Sequence, residues 1–321
     1  MSDSLKGVLL ALLAFALFSS HDAVVKVLGG SYAPFQILFF SVLLGFPLVT
    51  ILLLRDQTVS NLIPRHPWWT LARTVAAVIT GLSAFYAFSV LPLAQTYAII
   101  FAGPLVITIL SVPMLGETVR LRRWLAVIIG LVGVLVVLRP GTTELTLGHA
   151  SALACAICGA FASVVVRKIG REERSTVLML YPMVANFFLM GALLPFVYVP
   201  LPIEDLGLQA LMALLGTFAT LLLIKAYMLA DAAMVAPMQY SQIIWATLFG
   251  ALFFAEVPDL YTGLGAAIII LSGLYIVFRE SRGGGSTETP VLRTRSRPET
   301  GTAPRVSPML PLSQRGPKED P

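Results

Sequence analysis

The sequence predicts an all-α polytopic membrane protein with about ten membrane-spanning helices. Hydrophobic residues make up 57% of the 321 residues and charged residues only 12%, and the mean hydropathy is +0.85. Soluble domains usually have about 25% charged residues, so this chain has too few to cover a surface in water. The apolar runs also approach the length of about 20 residues that a spanning helix needs.

Glycines, prolines and charged clusters divide the apolar sequence into segments. Lys6 precedes the first run, but this run leads directly into a second one, so we interpret it as a retained helix rather than a secretory signal. The predicted spans are 5–28, 33–54, 68–90, 94–115, 122–138, 148–168, 175–199, 206–229, 233–254 and 261–278.

Basic residues in the loops predict the orientation. With the N-terminus inside, the cytoplasmic loops hold Arg55, Arg65, Arg120, Arg122, Arg123, Arg167, Lys168, Arg171 and Arg174. The opposite loops hold Arg139, and Lys26 lies at a helix end. The positive-inside rule therefore predicts a multi-pass protein of the cell (inner) membrane with both termini in the cytoplasm.

The chain contains an internal repeat. "YAFSVLPLAQTYAIIFAGPLVITILSVPMLGE", ending at Glu117, aligns with "KAYMLADAAMVAPMQYSQIIWATLFGALFFAE", ending at Glu256, at an offset of 139 residues (256 minus 117). We expect a first five-helix repeat at 1–140 and a second at 141–280. The Gly-, Pro-, Ser-, Thr- and Arg-rich residues 281–321 are expected to form a disordered cytoplasmic tail.

Five is an odd number of crossings, so the second half must enter the membrane from the side opposite to the first. The two halves are then inverted repeats, an arrangement typical of secondary transporters with a substrate site near the midplane between the halves.

Two stretches carry a resemblance to a known family. "GPLVITILSVPMLGETVRLRRWLAVIIGLVGVLVV" and "QIIWATLFGALFFAEVPDLYTGLGAAIIILSGLYIVF" resemble the EamA-type branch of the drug/metabolite transporter superfamily. The second stretch departs from the first, because it lacks a glycine before Glu256 and the basic cluster after it. The resemblance implies a ten-helix carrier of a small organic metabolite.

The first helix carries polar residues near its outer end. Asp22 and Lys26 are one turn apart, with Ser19 on the same side. They form either a self-neutralising pair at the helix end or part of an outer vestibule, in which Asp22 contacts substrate or carries a proton. His21 points about 100° away along the helix, and we expect either an interfacial ring or a residue lining the path.

The ninth and fourth spans carry aromatic and amide side chains near mid-depth. Met238, Gln242 and Trp245 are spaced for one helix face, and exposing such groups to lipid would be costly. We predict a cavity lined by these spans, with hydrogen bonds between helices as the alternative. The residues expected to contribute are Gln239, Tyr240, Gln242 and Trp245 from the ninth span, and Gln95, Tyr97 and Phe101 from the fourth.

Two further pairs of residues correspond in the repeat. Lys225 either faces the cavity or reaches the membrane surface with Asp231 as counter-ion, and Tyr86 is its repeat mate. Glu117 and Glu256 are expected to cap the N–H groups of the helix that follows each of them. The substrate-binding candidates are thus Asp22, Lys26, Tyr86, Tyr97, Phe101, Lys225, Gln239, Tyr240, Gln242 and Trp245.

No enzyme motif is found in the sequence. The histidines lie on separate segments, and neither a nucleotide-binding loop nor a metal-binding helix motif occurs. Cys155 and Cys158 are expected to be packing residues rather than a redox or zinc pair. No cofactor and no metal are therefore expected.

The expected function is secondary transport by alternating access. The aromatic and amide groups of the ninth span favour riboflavin uptake. The alternative, which the acidic residue Asp22 supports, is a carrier of S-adenosylmethionine, an amino acid or another metabolite. A non-transporting receptor or scaffold is the alternative of another class. The expected partners are the substrate and the lipid bilayer but not nucleic acid, with a homodimer as a further candidate.

Overall fold

The computed structural model describes residues 3–54, 63–116, 119, 121–141, 144–170, 172–173, 175–230 and 232–282. Twelve α-helices and one 3-10 helix make up this part of the chain. They are α1 Asp3–Gly29, α2 Pro34–Leu54, α3 Pro67–Val90, α4 Leu93–Ile100, α5 Gly103–Leu115, α6 Leu121–Leu138, α7 Leu147–Ile169, α8 Ser175–Val197, α9 Ile203–Leu229, α10 Ala232–Val235, the 3-10 helix Ala236–Ser241, α11 Gln242–Phe254 and α12 Leu260–Arg282.

The ten predicted spans are confirmed to within a few residues, but two of them are broken. Helices α4 and α5 form one span that is interrupted at Phe101 and Ala102. Helix α10, the 3-10 helix and α11 form the corresponding span of the second half. Among the described residues, seven helical spans are long and apolar enough to cross a membrane, and two shorter apolar helices are also found.

The packing follows the inverted repeat. Helix α1 of the first half packs along α9 of the second, and α7 of the second half packs along α3 of the first. Helices α6 and α12, which correspond to each other, pack together, as do α2 and α8. The interior of the bundle is therefore built from both halves, with α1 and α7 in equivalent positions.

Glycines allow the closest of these crossings. A Cβ atom at Gly133 of α6 would lie 3.0 Å from the carbonyl oxygen of Gly265 of α12. One at Gly148 of α7 would lie 2.6 Å from a methyl group of Val90 of α3. Such small residues bring helices together where the bilayer provides little hydrophobic driving force.

The contacts define two ends of the bundle. Lys26, Arg139, Glu256 and Asp259 lie at one end, which we call the latch end. Trp69, Met114 and Lys168 lie together at the other, the Trp69 end. The fourth span thus finishes near Met114 at the Trp69 end, whereas the ninth finishes before Glu256 at the latch end. Glu117 itself and residues 283–321 of the predicted tail lie outside the described residues.

Candidate functional site

A cluster of polar side chains lies inside the bundle where the two halves meet. We call it the central polar cluster; its members are Ser19, His21 and Asp22 of α1, Tyr97 of α4 and Gln242 of α11. Asp22 is 0% exposed and accepts a hydrogen bond from the Tyr97 hydroxyl. Its other carboxyl oxygen lies 2.8 Å from His21 Nδ1. A carboxyl group therefore lies in the protein interior, among groups from both halves.

Tyr97 connects three helices of the cluster. Its hydroxyl oxygen accepts a hydrogen bond from Gln242 Nε2 at 3.2 Å and lies 3.4 Å from Ser19 Oγ. Gln242 is 0% exposed, yet its Oε1 atom has no hydrogen-bond partner. Burying such an acceptor unpaired is costly, so Gln242 offers a hydrogen bond that a bound molecule can complete.

A row of aromatic rings adjoins the cluster. The ring centroids of Phe88 and Tyr97 are 5.1 Å apart, those of Tyr97 and Phe101 5.7 Å, and those of Phe101 and Tyr240 5.2 Å. The buried hydroxyl of Tyr240 has no partner and points at Gly273 of α12, where a Cβ atom would lie 1.8 Å from it. The row joins the broken spans of the two halves.

The 3-10 helix changes which side chains of the ninth span share a face. A regular α-helix would place Met238 and Gln242 on one face, but residues 236–241 turn more tightly, at about three residues per turn. Met238 accordingly packs against a cluster of α1 and α9 side chains, whereas Gln242 is buried in the central polar cluster. Trp245, in the regular helix α11 with Gln242, is only partly buried and stacks on Phe249.

Lys26 and Glu256 form a second group, which we call the latch. Lys26 Nζ lies 2.7 Å from Glu256 Oε1 and donates to the carbonyl oxygen of Leu91. Glu256 also accepts a hydrogen bond from the backbone N–H of Leu93, at 3.1 Å. The latch therefore joins α1, the link between α3 and α4, and the link between α11 and α12.

The latch corrects two expectations. The self-neutralising pair of Asp22 and Lys26 is wrong, because Lys26 pairs with Glu256 in the link between α11 and α12 and Asp22 accepts a hydrogen bond from Tyr97 of α4. Glu256 does cap free N–H groups, but at the start of α4 rather than at the start of the helix that follows it. The reason is local: Ala255 adopts a left-handed conformation (φ 53°), and Glu256 N donates to the Gly250 carbonyl oxygen, which turns the Glu256 side chain back into the bundle.

A cavity of about 220 Å³ lies beside the latch, between α4, α11 and the link to α12. Gln95, Thr247 and Glu256 contribute polar groups to its wall, and Gln95 Nε2 lies 3.1 Å from His149 Nε2. Arg139, also in the wall, pairs with Asp259 at 2.5 Å. The cavity forms a vestibule at the latch end, with a few polar groups in a largely apolar wall.

Two loop residues at the latch end have shifted pKa values. Hydrogen bonds from Thr262, together with the Arg139 charge, lower the pKa of the Asp259 carboxyl below its ordinary value. Donation of a hydrogen bond to Asp205 raises the pKa of Tyr32 to about 12. The lowered pKa favours the ionised Asp259 that pairs with Arg139, and the raised pKa favours the protonated Tyr32 that donates to Asp205. Both contacts therefore persist near neutral pH.

The remaining predicted site residues lie apart from the cluster. Gln239 and Tyr86 are partly buried, and Lys225 is exposed on α9; its proposed counter-ion, Asp231, lies outside the described residues. Cys155 is buried, Cys158 is partly buried, and neither forms a disulfide bond. Among the residues that the structure describes, no three His, Cys, Asp or Glu side chains are placed to hold a metal ion.

Two polar residues lie where the sequence pattern did not place them. His21 was expected about 100° away from Asp22, as an interfacial ring or a residue lining the path, yet its imidazole binds the neighbouring carboxyl group. Arg73, which the pattern did not single out, lies inside α3 and is 4% exposed. Arg73 is the single charged residue of the predicted span 68–90, and this position was a signal that could have identified it.

The architecture defines a multi-pass membrane transporter built from two inverted helical repeats. The EamA-like transporter family matches residues 5–139 and 146–279, so this chain belongs to that family. The predicted resemblance is confirmed, and the chain is a transporter rather than an enzyme.

Several relatives have named functions. The S-adenosylmethionine uptake transporter of Rickettsia prowazekii is 24% identical over 286 residues, which cover 88% of this chain and 97% of the relative. The pseudopaline exporter of Pseudomonas aeruginosa is 28% identical over 279 residues, covering 84% and 95%. The riboflavin transporter of Rhizobium johnstonii is 29% identical over 219 residues, covering 68% and 72%.

A solved crystal structure has the same fold. It is 20% identical, covers 88% of this chain and 99% of its own, and superposes with a TM-score of 0.54. This similarity supports the helical architecture alone.

Proposed function

We propose that this protein carries a small amphipathic metabolite across the cell membrane by alternating access, with the central polar cluster as its substrate site. The observation that carries the proposal is the buried carboxyl group of Asp22, held between the halves by Tyr97 and accompanied by the unpartnered Gln242 Oε1. Polar groups at such a position are costly in a membrane protein and are usually functional.

The cluster is suited to a positively charged group. A carboxylate attracts a cation strongly in surroundings of low dielectric constant, and the faces of Phe88, Tyr97 and Phe101 add attraction to a cation beside them. S-adenosylmethionine combines a sulfonium centre with a flat, hydrogen-bonding adenine. The Rickettsia relatives named for its uptake add support, so S-adenosylmethionine is the cargo that we propose first.

The broken spans provide a means of alternating access. Discontinuous helices at the interface of inverted repeats allow one half to rock against the other around the site. The latch ties both broken spans to α1 when the latch end is closed. We propose that release of Lys26 from Glu256 opens this end, while the Trp69 end opens in the alternate state.

Riboflavin is the second candidate. The aromatic row and the free carboxamide oxygen of Gln242 are suited to a flat ring with N–H donors, and the Rhizobium relative is named a riboflavin transporter. Riboflavin, however, provides no cation for Asp22. The two candidates therefore differ in whether Asp22 is needed for its charge.

Flux measurements test this proposal. Purified full chain in proteoliposomes should accumulate labelled S-adenosylmethionine in a saturable manner, and Asp22→Asn should abolish most of this uptake. Glu204→Gln, which changes an exposed acid at the start of α9, is the matched control and should retain it. Uptake of riboflavin with indifference to Asp22→Asn would favour the second candidate. The absence of flux for any metabolite would support a receptor or scaffold instead.

A further inference from the structure

A second group of polar side chains lies in α3, well away from the central polar cluster. Arg73 is 4% exposed, and its Nε and Nη1 atoms have no hydrogen-bond partner. Thr70 and Thr74 are also buried, and neither hydroxyl has a partner. Thr70 lies one turn before Arg73 and Thr74, at spacings of three and four residues, so its hydroxyl lies beside both side chains.

This group faces the bundle rather than the lipid. Leu71, Val75 and Ile79 form the exposed stripe of α3, and Arg73 lies about 200° around the helix from Leu71, at about 100° per residue. Phe88, which contacts Tyr97, is on the same side of α3 as Arg73, since the 15 residues between them (88 minus 73) make about four turns. A lipid headgroup therefore does not reach Arg73 from the exposed stripe.

The surroundings of Arg73 are apolar. Gly148 of α7 lies against Val90 of α3, and the two helices are antiparallel. Arg73 lies 17 residues before Val90 on α3 (90 minus 73). The residue of α7 at the same level is therefore Val165, which lies 17 residues after Gly148 (148 plus 17). Val165 is fully buried and packs in a cluster that includes Trp69. Within the described part of the chain, no ion pair to Arg73 is found. The buried guanidinium group thus has N–H donors without hydrogen-bond acceptors.

We propose that Arg73, Thr70 and Thr74 form a second binding station that receives the carboxylate of the transported molecule. The planar guanidinium group matches a carboxylate in geometry. Its single positive charge balances the one negative charge of a carboxylate, whereas a phosphate dianion would need a second positive charge. Arg73 lies about 22 Å along α3 from Phe88, at 1.5 Å per residue. The cargo therefore reaches this station after leaving the central polar cluster, on its way to the Trp69 end.

This inference rests on the proposed transport function and narrows the cargo to metabolites that carry a carboxylate. S-adenosylmethionine has such a group, and riboflavin does not. The station is testable by itself, because anion binding at Arg73 can be measured without any flux.

The test measures modification of Arg73 by phenylglyoxal, using peptide mass spectrometry on the full chain in lipid nanodiscs. Benzoate should slow the modification at least about fivefold, whereas benzamide, its uncharged counterpart, should not, because charge-assisted hydrogen bonds provide the binding. Thr70→Val and Thr74→Val should each weaken the protection by benzoate. Arg139, which is held by Asp259, is the control arginine whose modification should not respond to benzoate.

Three results would overturn the proposal: equal protection by benzoate and benzamide, no protection by either, or no modification of Arg73 under any condition. A separate flux arm compares S-adenosylmethionine with its decarboxylated form. Failure of both compounds to cross the membrane contradicts the proposed cargo, while the benzoate result still decides the station.

Discussion

Lys26 Nζ lies 2.7 Å from Glu256 Oε1, which joins the end of α1 in the first half to the α11–α12 link in the second. The two residues are 230 positions apart in the sequence (256 minus 26) and are both largely buried. No local pattern connects them, so their pairing is a property of the folded bundle.

The latch should show coupling between its two residues. Lys26→Glu or Glu256→Lys alone places like charges together and should reduce uptake at least about tenfold, whereas the exchanged double variant should recover much of it. We expect a coupling energy of about 1–3 kcal/mol in the double-mutant cycle. Initial uptake rates in proteoliposomes measure this. Additive effects of the two changes would contradict a functional pair.

The phenol of Tyr97 should contribute directly to substrate affinity. Tyr97→Phe keeps the ring contacts with Phe88 and Phe101 but removes the hydrogen bonds to Asp22 and Gln242, so we expect the KM for uptake to rise about tenfold, equivalent to about 1.4 kcal/mol. Tyr275→Phe, on an exposed side of α12, is the control. An unchanged KM in Tyr97→Phe would remove this residue from the site.

The pH dependence of transport should originate in the central polar cluster. The pKa of Asp259 is below its ordinary value, so its pair with Arg139 stays formed above about pH 4. The stabilisation that this pair gives the folded protein is lost only as the pH falls through the folded-state pKa. Variation of uptake between pH 5 and 8 therefore does not come from this pair. We expect the residual uptake of Asp22→Asn to have a flat pH profile, whereas Asp259→Asn should leave the shape of the profile intact. The reverse pattern would contradict a proton-linked role for Asp22.

Gly273 should be essential for the aromatic row. Gly273→Ala would place a methyl group 1.8 Å from the Tyr240 hydroxyl, so the Tyr240 ring must leave its position in the row. We expect at least about fivefold lower uptake at normal membrane levels, because overpacking costs about 1–3 kcal/mol. Gly263→Ala on the same helix has open space around it and should be neutral. Equal activity of both variants would show that the position of Tyr240 does not matter.

The sequence predicted the helices well because membrane spans depend on length and hydropathy, which are local properties. The inverted arrangement followed from counting five spans per repeat. The partners of charged residues could not be predicted in this way. Asp22 and Lys26 have the spacing of a helical pair, yet long-range contacts with Tyr97 and Glu256 separate them.

The ninth span shows a second limit of the pattern. Helical periodicity placed Met238 on the face of Gln242, but Met238 lies in a 3-10 helix whose tighter turn separates the two side chains. Residue type and depth alone nevertheless predicted Tyr97 and Gln242, which both lie in the central polar cluster. Arg73 was overlooked, although it is a charged residue inside a span.

The most direct test of the central claim is substrate protection at Ser19, which contacts Tyr97 in the cluster. Ser19→Cys in a Cys155→Ala/Cys158→Ala background should react slowly with a small thiol reagent in nanodiscs. Saturating S-adenosylmethionine should slow this reaction at least about fivefold in the active variant, and the protection should disappear with Asp22→Asn. If S-adenosylmethionine is transported while Ser19→Cys reacts at the same rate with and without it, the substrate does not bind at the central polar cluster.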